Sequence, residues 1–120
     1  NKEAPVPLKE LKEPSWLLIY NEIEMKVIQY ALQKKQNCFE LHVQLASYCK
    51  MKSVRISLLV MVLEKLGTVI KLDPPAGDIL EEKVKEKIAL TLLTPHSQEQ
   101  VLEDASGIAE IVSVTIYQVR

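Results

Sequence analysis

The sequence predicts an α+β domain in which three helices lead into a long β-hairpin, and a further helix and strand close the chain. Three observations carry this. Apolar residues recur at helical spacing through three consecutive segments between Tyr20 and Leu66. Gly67 then interrupts the pattern and is followed by the β-branched run TVIKL. Near the C-terminus, VSVTIYQV alternates apolar and polar residues almost without fault.

Residues 1–14, NKEAPVPLKELKEP, hold three of the six prolines and interleave lysine with glutamate. Such a composition buries little and reads as a linker to another part of a larger protein, with a single domain over 15–120. A chain that starts at Asn1 rather than methionine fits the same expectation of an excised piece. The first helix is expected over about Glu22 to Lys35, with Tyr20, Ile23, Val27, Ile28 and Ala31 at helical spacing. Asn21 followed by Glu24 is a capping-box signal at its start, and Lys34 and Lys35 suit the negative end of the helix dipole.

A second helix is expected over about Glu40 to Cys49, because Leu41, Leu45, Ala46 and Cys49 then share one face. The turn KMKS supplies Ser53 as N-cap of a third helix from about Val54 to Leu66, which Gly67 ends. TVIKL and IALTLLT are the two strands of a hairpin, separated by the charged, turn-rich DPPAGDILEEKVKEK. After Pro95, SQEQVLEDASGIAEI reads as a helix capped by Ser97, with Val101, Ala105, Ile108 and Ile111 inward. VSVTIYQV is the last strand.

The order helix, helix, turn, helix, strand, wing, strand over residues 21–94 resembles the winged-helix family of helix-turn-helix domains. Leu45 and Ala46, Cys49, Met51, Ile56, Val60, Leu63, Gly67, Val69 and Ile70 stand at the family's apolar and glycine positions. The resemblance implies that the third helix presents a flank to a ligand. On that flank stand Ser53, Arg55, Ser57, Leu58, Leu59 and Met61, three of them large and apolar. Base edges and phosphates are read by Arg, Lys, Asn and Gln, so Leu58, Leu59 and Met61 suit a protein partner better than DNA.

The leading expectation is therefore a non-catalytic module of a larger intracellular protein, nuclear or cytoplasmic. It binds a protein partner or other domains of its parent through Leu58, Leu59 and Met61, with Lys52 and Arg55 as polar rim. The alternative is a DNA-binding module, with Lys50, Lys52, Ser53 and Arg55 at the helix start and Lys83, Lys85 and Lys87 in the wing on phosphates. Against it, Asp73, Asp78, Glu81, Glu82 and Glu86 share that wing, which makes an ordinary solvated loop the better account of the charges. A third class is an accessory domain that positions an enzyme's substrate.

Composition narrows the other classes. With 120 residues, 48% hydrophobic, the chain can bury one core. Fifteen basic residues against 16 acidic ones give a net charge of -1 and no global basic field, with only a mild bias toward positive charge up to Lys52. No apolar run approaches the roughly 18 residues that a membrane span needs. Cys38, His42 and Cys49, even with His96, lack zinc-site spacing, so two reduced, packed thiols are expected and no metal or other cofactor. With three glycines the chain offers no phosphate loop, and a His42–Cys49 dyad has no surrounding motif, so no enzymatic activity or small-molecule substrate is expected.

Overall fold

A computed structural model describes residues 18–81 and 84–120. The expected linker over 1–14 and Lys83 lie outside these residues. The elements are α1 (Glu22–Gln33), β1 (Asn37–Leu45), α2 (Lys52–Glu64), β2 (Thr68–Asp73), α3 (Ala76–Leu80), β3 (Lys87–Thr94), α4 (Gln98–Ser106) and β4 (Ile111–Gln118). The strands form one antiparallel sheet in the order β2-β3-β1-β4. From β1 onward, leaving the short α3 aside, this is a βαββαβ chain. In it β3 splits the β1–α2–β2 unit and β1 splits the β3–α4–β4 unit, the ferredoxin-like arrangement.

This overturns the winged-helix architecture, and one segment is responsible. The expected second helix over Glu40 to Cys49 is instead the central strand β1, bonded to β3 on one side and β4 on the other. In FELHVQL the period is two: Phe39, Leu41, Val43 and Leu45 point to one face, Glu40, His42 and Gln44 to the other. Leu41 and Leu45 are four apart, a spacing that satisfies both a helix face and a strand face. Three helices in succession therefore do not exist. The strands expected at TVIKL and IALTLLT do pair, as β2 and β3, with α3 inside the connection between them.

The main core lies between the sheet and the pair α2 and α4. Phe39, Leu41, Val43 and Leu45 of β1 meet Ile88, Leu90 and Leu92 of β3 and Val114 and Ile116 of β4, roofed by Ile56, Leu59, Leu63, Val101 and Ala105. Burying an aliphatic side chain here is worth about 1.5–3 kcal/mol. Gly67 sits where α2 turns into β2 and the backbone passes against β3. A Cβ there would lie 1.9 Å from the Leu93 carbonyl oxygen, so only glycine fits.

On the opposite face of the sheet, α1 packs Ile28 and Ala31 on Cys38 and Leu93. Its N-terminus carries the expected capping box, with Asn21 Oδ1 accepting from Glu24 N and Glu24 Oε1 accepting from Asn21 N. At its other end Lys35 takes the left-handed conformation, φ 66°. Lys35 N–H then donates to Leu32 O and Gln36 N–H to Ala31 O, closing the last turn in the Schellman manner without a glycine. Ser97 caps α4 as expected. Ser53 does not cap α2, because the helix begins at Lys52, one residue earlier, with Met51 at the cap.

Candidate protein-docking face

Helix α2 presents two apolar sides. Its inward row is Ile56, Leu59 and Leu63, all fully or almost fully buried, with Val60 partly covered beside them. Half a turn away, Val54, Leu58 and Met61 follow at i, i+4 and i+7 and make a second apolar row open to solvent. Leu58 is 37% and Met61 61% exposed. Tyr48 and Met51, in the connection from β1 to the N-terminal end of the helix, are exposed as well. Leu59, expected on the docking flank, is 0% exposed and belongs to the core, since it falls at i+3 from Ile56 on the sheet side.

The basic residues expected around this flank are partly engaged within the chain. Lys52 Nζ donates to Cys49 O at 2.7 Å, and Arg55 Nε donates to Glu110 Oε1 at 3.0 Å. The neighbouring Cys49 thiol and Arg55 hold Glu110 below the usual carboxylate range. Burial, and then Glu110 itself, push the Cys49 thiol up. Glu110 adopts φ 69°, so α2 is tied to the entrance of β4 through a left-handed turn. Ser53 lies in the first turn of α2 and is half-buried, while Lys50 is exposed just before it.

Lys87 opens β3 opposite Gln44, and the pair lines the sheet face away from α2. Lys85 is exposed in the approach to that strand, and Lys83 is outside the described residues. Lys50, Lys52, Ser53 and Arg55 thus gather at the start of α2, but Lys87 is directed to the other side of the sheet. Sequence proximity suggested one phosphate-binding surface, and the fold does not build it.

That other sheet face holds a feature the sequence did not disclose. Glu40 is 2% exposed, yet its carboxylate accepts from His42 Nε2 at 2.6 Å, from Tyr20 Oη at 2.7 Å and from Leu18 N at 2.9 Å. Tyr20 Oη also meets Thr91 Oγ1 at 2.7 Å. Burial alone pushes the Glu40 carboxyl up, but the bonds from His42, Tyr20 and Leu18 outweigh it and hold the group below its ordinary value. Only the side-chain alternation of a strand brings Glu40 and His42 together, so a helical reading of the segment hides the pair. Beside it is a depression of about 600 Å³ lined by His42, Gln44, Asp73, Lys87, Ala89, Ser113 and Thr115, with opposite charges at its rim.

The imagined metal set comes apart in the same way. Cys38 and His42 are four strand residues apart, about 13 Å at 3.3 Å per residue, and Cys49 lies beyond the end of β1. Both cysteines are free and buried, and burial pushes the Cys38 thiol up to about 12. Among the described residues no three His, Cys, Asp or Glu side chains converge as a metal site, and no helix is long and apolar enough to cross a membrane.

Comparison with known proteins decides the family. The sequence model of the P2 response regulator binding domain matches residues 38–118, from β1 to the end of β4. The chain belongs to the P2 response regulator binding domain family. This P2 domain is 29% identical over 99 residues to the chemotaxis protein CheA of Bacillus subtilis (strain 168), an alignment that takes in 82% of this chain and 15% of that protein. The chain thus spans about 15% of the length of the curated relative it matches. Among solved structures it is similar to the P2 domain of the chemotaxis kinase CheA in complex with the response regulator CheY, from Thermotoga maritima. The TM-score is 0.67 and the identity 33%, over 70% of this chain and 99% of that one.

These findings replace the winged-helix resemblance, whose apolar spacings at Leu45, Ala46, Cys49 and Met51 fall on a strand end and a loop rather than on a second helix. The P2 domain is a protein-interaction module, and none of the three comparisons supports the DNA-binding alternative or a nuclear setting. Helix α1 lies outside the 38–118 match, whereas the exposed row of α2 lies inside it.

Proposed function

We propose that this P2 domain binds a CheY-type response regulator, and that the solvent-facing row of α2, Val54, Leu58 and Met61, is the centre of the contact. Tyr48 and Met51 extend it, and Lys50, Lys52 and Arg55 stand at its polar margin. The observation that carries this reading is the double apolar character of α2: its core obligations are met by Ile56, Leu59 and Leu63, and a second row remains uncovered within the residues that the family shares. Helix α1 also shows outward apolar residues, Ile23, Val27 and Tyr30, but it lies outside those residues. In this reading the parent is a CheA-type kinase working in the bacterial cytoplasm, and the module itself performs no chemistry. Its contribution is to hold the regulator near the parent's other domains, raising the regulator's effective concentration there.

Calorimetric titration with the CheY-type response regulator of the same organism tests this. Leu58→Asp and Met61→Asp are expected to weaken binding at least about tenfold with unchanged thermal melting. Wild-type affinity in both variants would place the contact elsewhere. No binding tighter than about 1 mM by the unmodified domain would overturn the response-regulator reading.

A further inference from the structure

A groove runs between α2 and α3, walled by Ile56, Ser57 and Val60 on one side and by Ala76, Ile79 and Leu80 on the other, with Leu72 of β2 at its base. Its volume is about 230 Å³, and Ser57 is the one polar residue in the lining. That is smaller than the roughly 300–1,000 Å³ of small-molecule sites, and of a size for a single large side chain. Leu80 is 81% exposed at the lip.

Position along α2 joins this groove to the docking row. Ser57 and Met61 are i, i+4 neighbours, about 40° apart on the helix, so the groove row of Ser57 and Val60 runs beside Val54, Leu58 and Met61. Apolar surface therefore continues from the row into the groove. Glu64 follows Val60 one turn along α2 and is the charged residue on the groove's side of that helix, whereas Asp78 falls on the side of α3 away from Ala76, Ile79 and Leu80.

Resting on the response-regulator reading above, we propose that the α2–α3 groove is the anchor pocket of the docking face. It receives one aliphatic or aromatic side chain of the regulator that is bordered on the regulator's surface by lysine or arginine. The apolar row gives contact area, the groove gives register, and Glu64 on the α2 side favours the basic neighbour.

Two substitutions fill the groove from exposed positions without touching the row or the core: Ser57→Phe on α2 and Ala76→Leu on α3. In titrations of the whole domain with the CheY-type regulator of the same organism, each is expected to weaken binding at least about tenfold with the melting temperature unchanged. Having two positions guards against one that fails to fold. Glu64→Lys is expected to weaken binding and to flatten its dependence on salt, with Asp78→Lys, on the far side of α3, as the control that leaves both unchanged. If Leu58→Asp and Met61→Asp lose affinity while Ser57→Phe and Ala76→Leu bind like the unmodified domain, the docking face stands and the groove proposal falls. If Leu58→Asp and Met61→Asp also bind normally, both fall. A second copy of this chain could offer Tyr30, over whose ring Lys34 lies at 5.4 Å. Sedimentation showing a dimer of the domain alone that Ser57→Phe dissolves would overturn the proposal in favour of self-association.

Discussion

Glu40 Oε2 and His42 Nε2 lie 2.6 Å apart on one face of the central strand, and the same carboxylate accepts from Tyr20 and Leu18. The folded state therefore favours ionised Glu40 more than the unfolded chain does. A carboxyl whose folded value is depressed contributes its stabilisation fully above the unfolded value of about 4.3, and loses it as pH falls through the folded value. Urea midpoints measured from pH 7 downward are expected to fall below about pH 4.3. Glu40→Gln is expected to cost about 1–3 kcal/mol at pH 7 and to flatten that acid limb. An unchanged limb in the variant would assign the acid sensitivity to other carboxylates.

Gly67→Ala places a methyl 1.9 Å from the Leu93 carbonyl oxygen, a backbone atom that cannot swing aside. The expected loss is about 1–3 kcal/mol or more, read as a lowered melting temperature. Gly77→Ala is the control: nothing lies within 4 Å of a Cβ there and the residue is helical, so the variant should melt no lower than the unmodified domain.

Lys35→Gly should stabilise. A left-handed residue with a side chain costs about 1–2 kcal/mol, which glycine avoids, although glycine also gains freedom in the unfolded chain. A net gain of about 0.5–1 kcal/mol in urea denaturation is expected. A loss would show that the Lys35 side chain supports α1 by more than its strain costs.

Leu58 and Leu59 are adjacent and should behave in opposite ways. Leu59→Ala opens the core and is expected to cost about 2–5 kcal/mol, with regulator affinity preserved in whatever remains folded. Leu58→Ala should leave the urea midpoint nearly unchanged and show its effect in binding. Equal stability losses at the two positions would mean that Leu58 is covered by the chain itself.

The adjacent pair shows how far the sequence could be read. Helical periodicity located α2, but apolar residues around most of its circumference let Leu59 be set on the outward flank when it turns inward. Capping signals were plainer: Asn21 with Glu24, and Ser97, each name a helix start because the side chain must reach a particular backbone amide. β4 was legible because one of its faces alternates against solvent. β1 was not, since it is buried on both sides and carries Glu40 and His42 where a buried strand is expected to be apolar. Its polar residues are tolerated through bonds from Tyr20 and Leu18, some twenty residues away, which local spacing cannot reveal. Misreading that one segment was enough to suggest a different family, and the expectation that the third helix offers its flank to a ligand came with that resemblance; what supports α2 in the observed fold is its exposed row of Val54, Leu58 and Met61.

The placement of β1 between β3 and β4 also fixes when the domain can form. Its hydrogen-bond partners are residues 87–94 and 111–118, so one edge of the central strand stays open until β3 has been made and the other until β4 has. During synthesis the ribosome must release nearly the whole domain before its sheet closes, and until then Phe39, Leu41, Val43 and Leu45 lack a strand on at least one side. Such distant pairings place this domain among slower-folding topologies than a three-helix chain of equal length. A chain ended before Ile111 would leave one edge of β1 bare, open to pairing with another molecule rather than with itself.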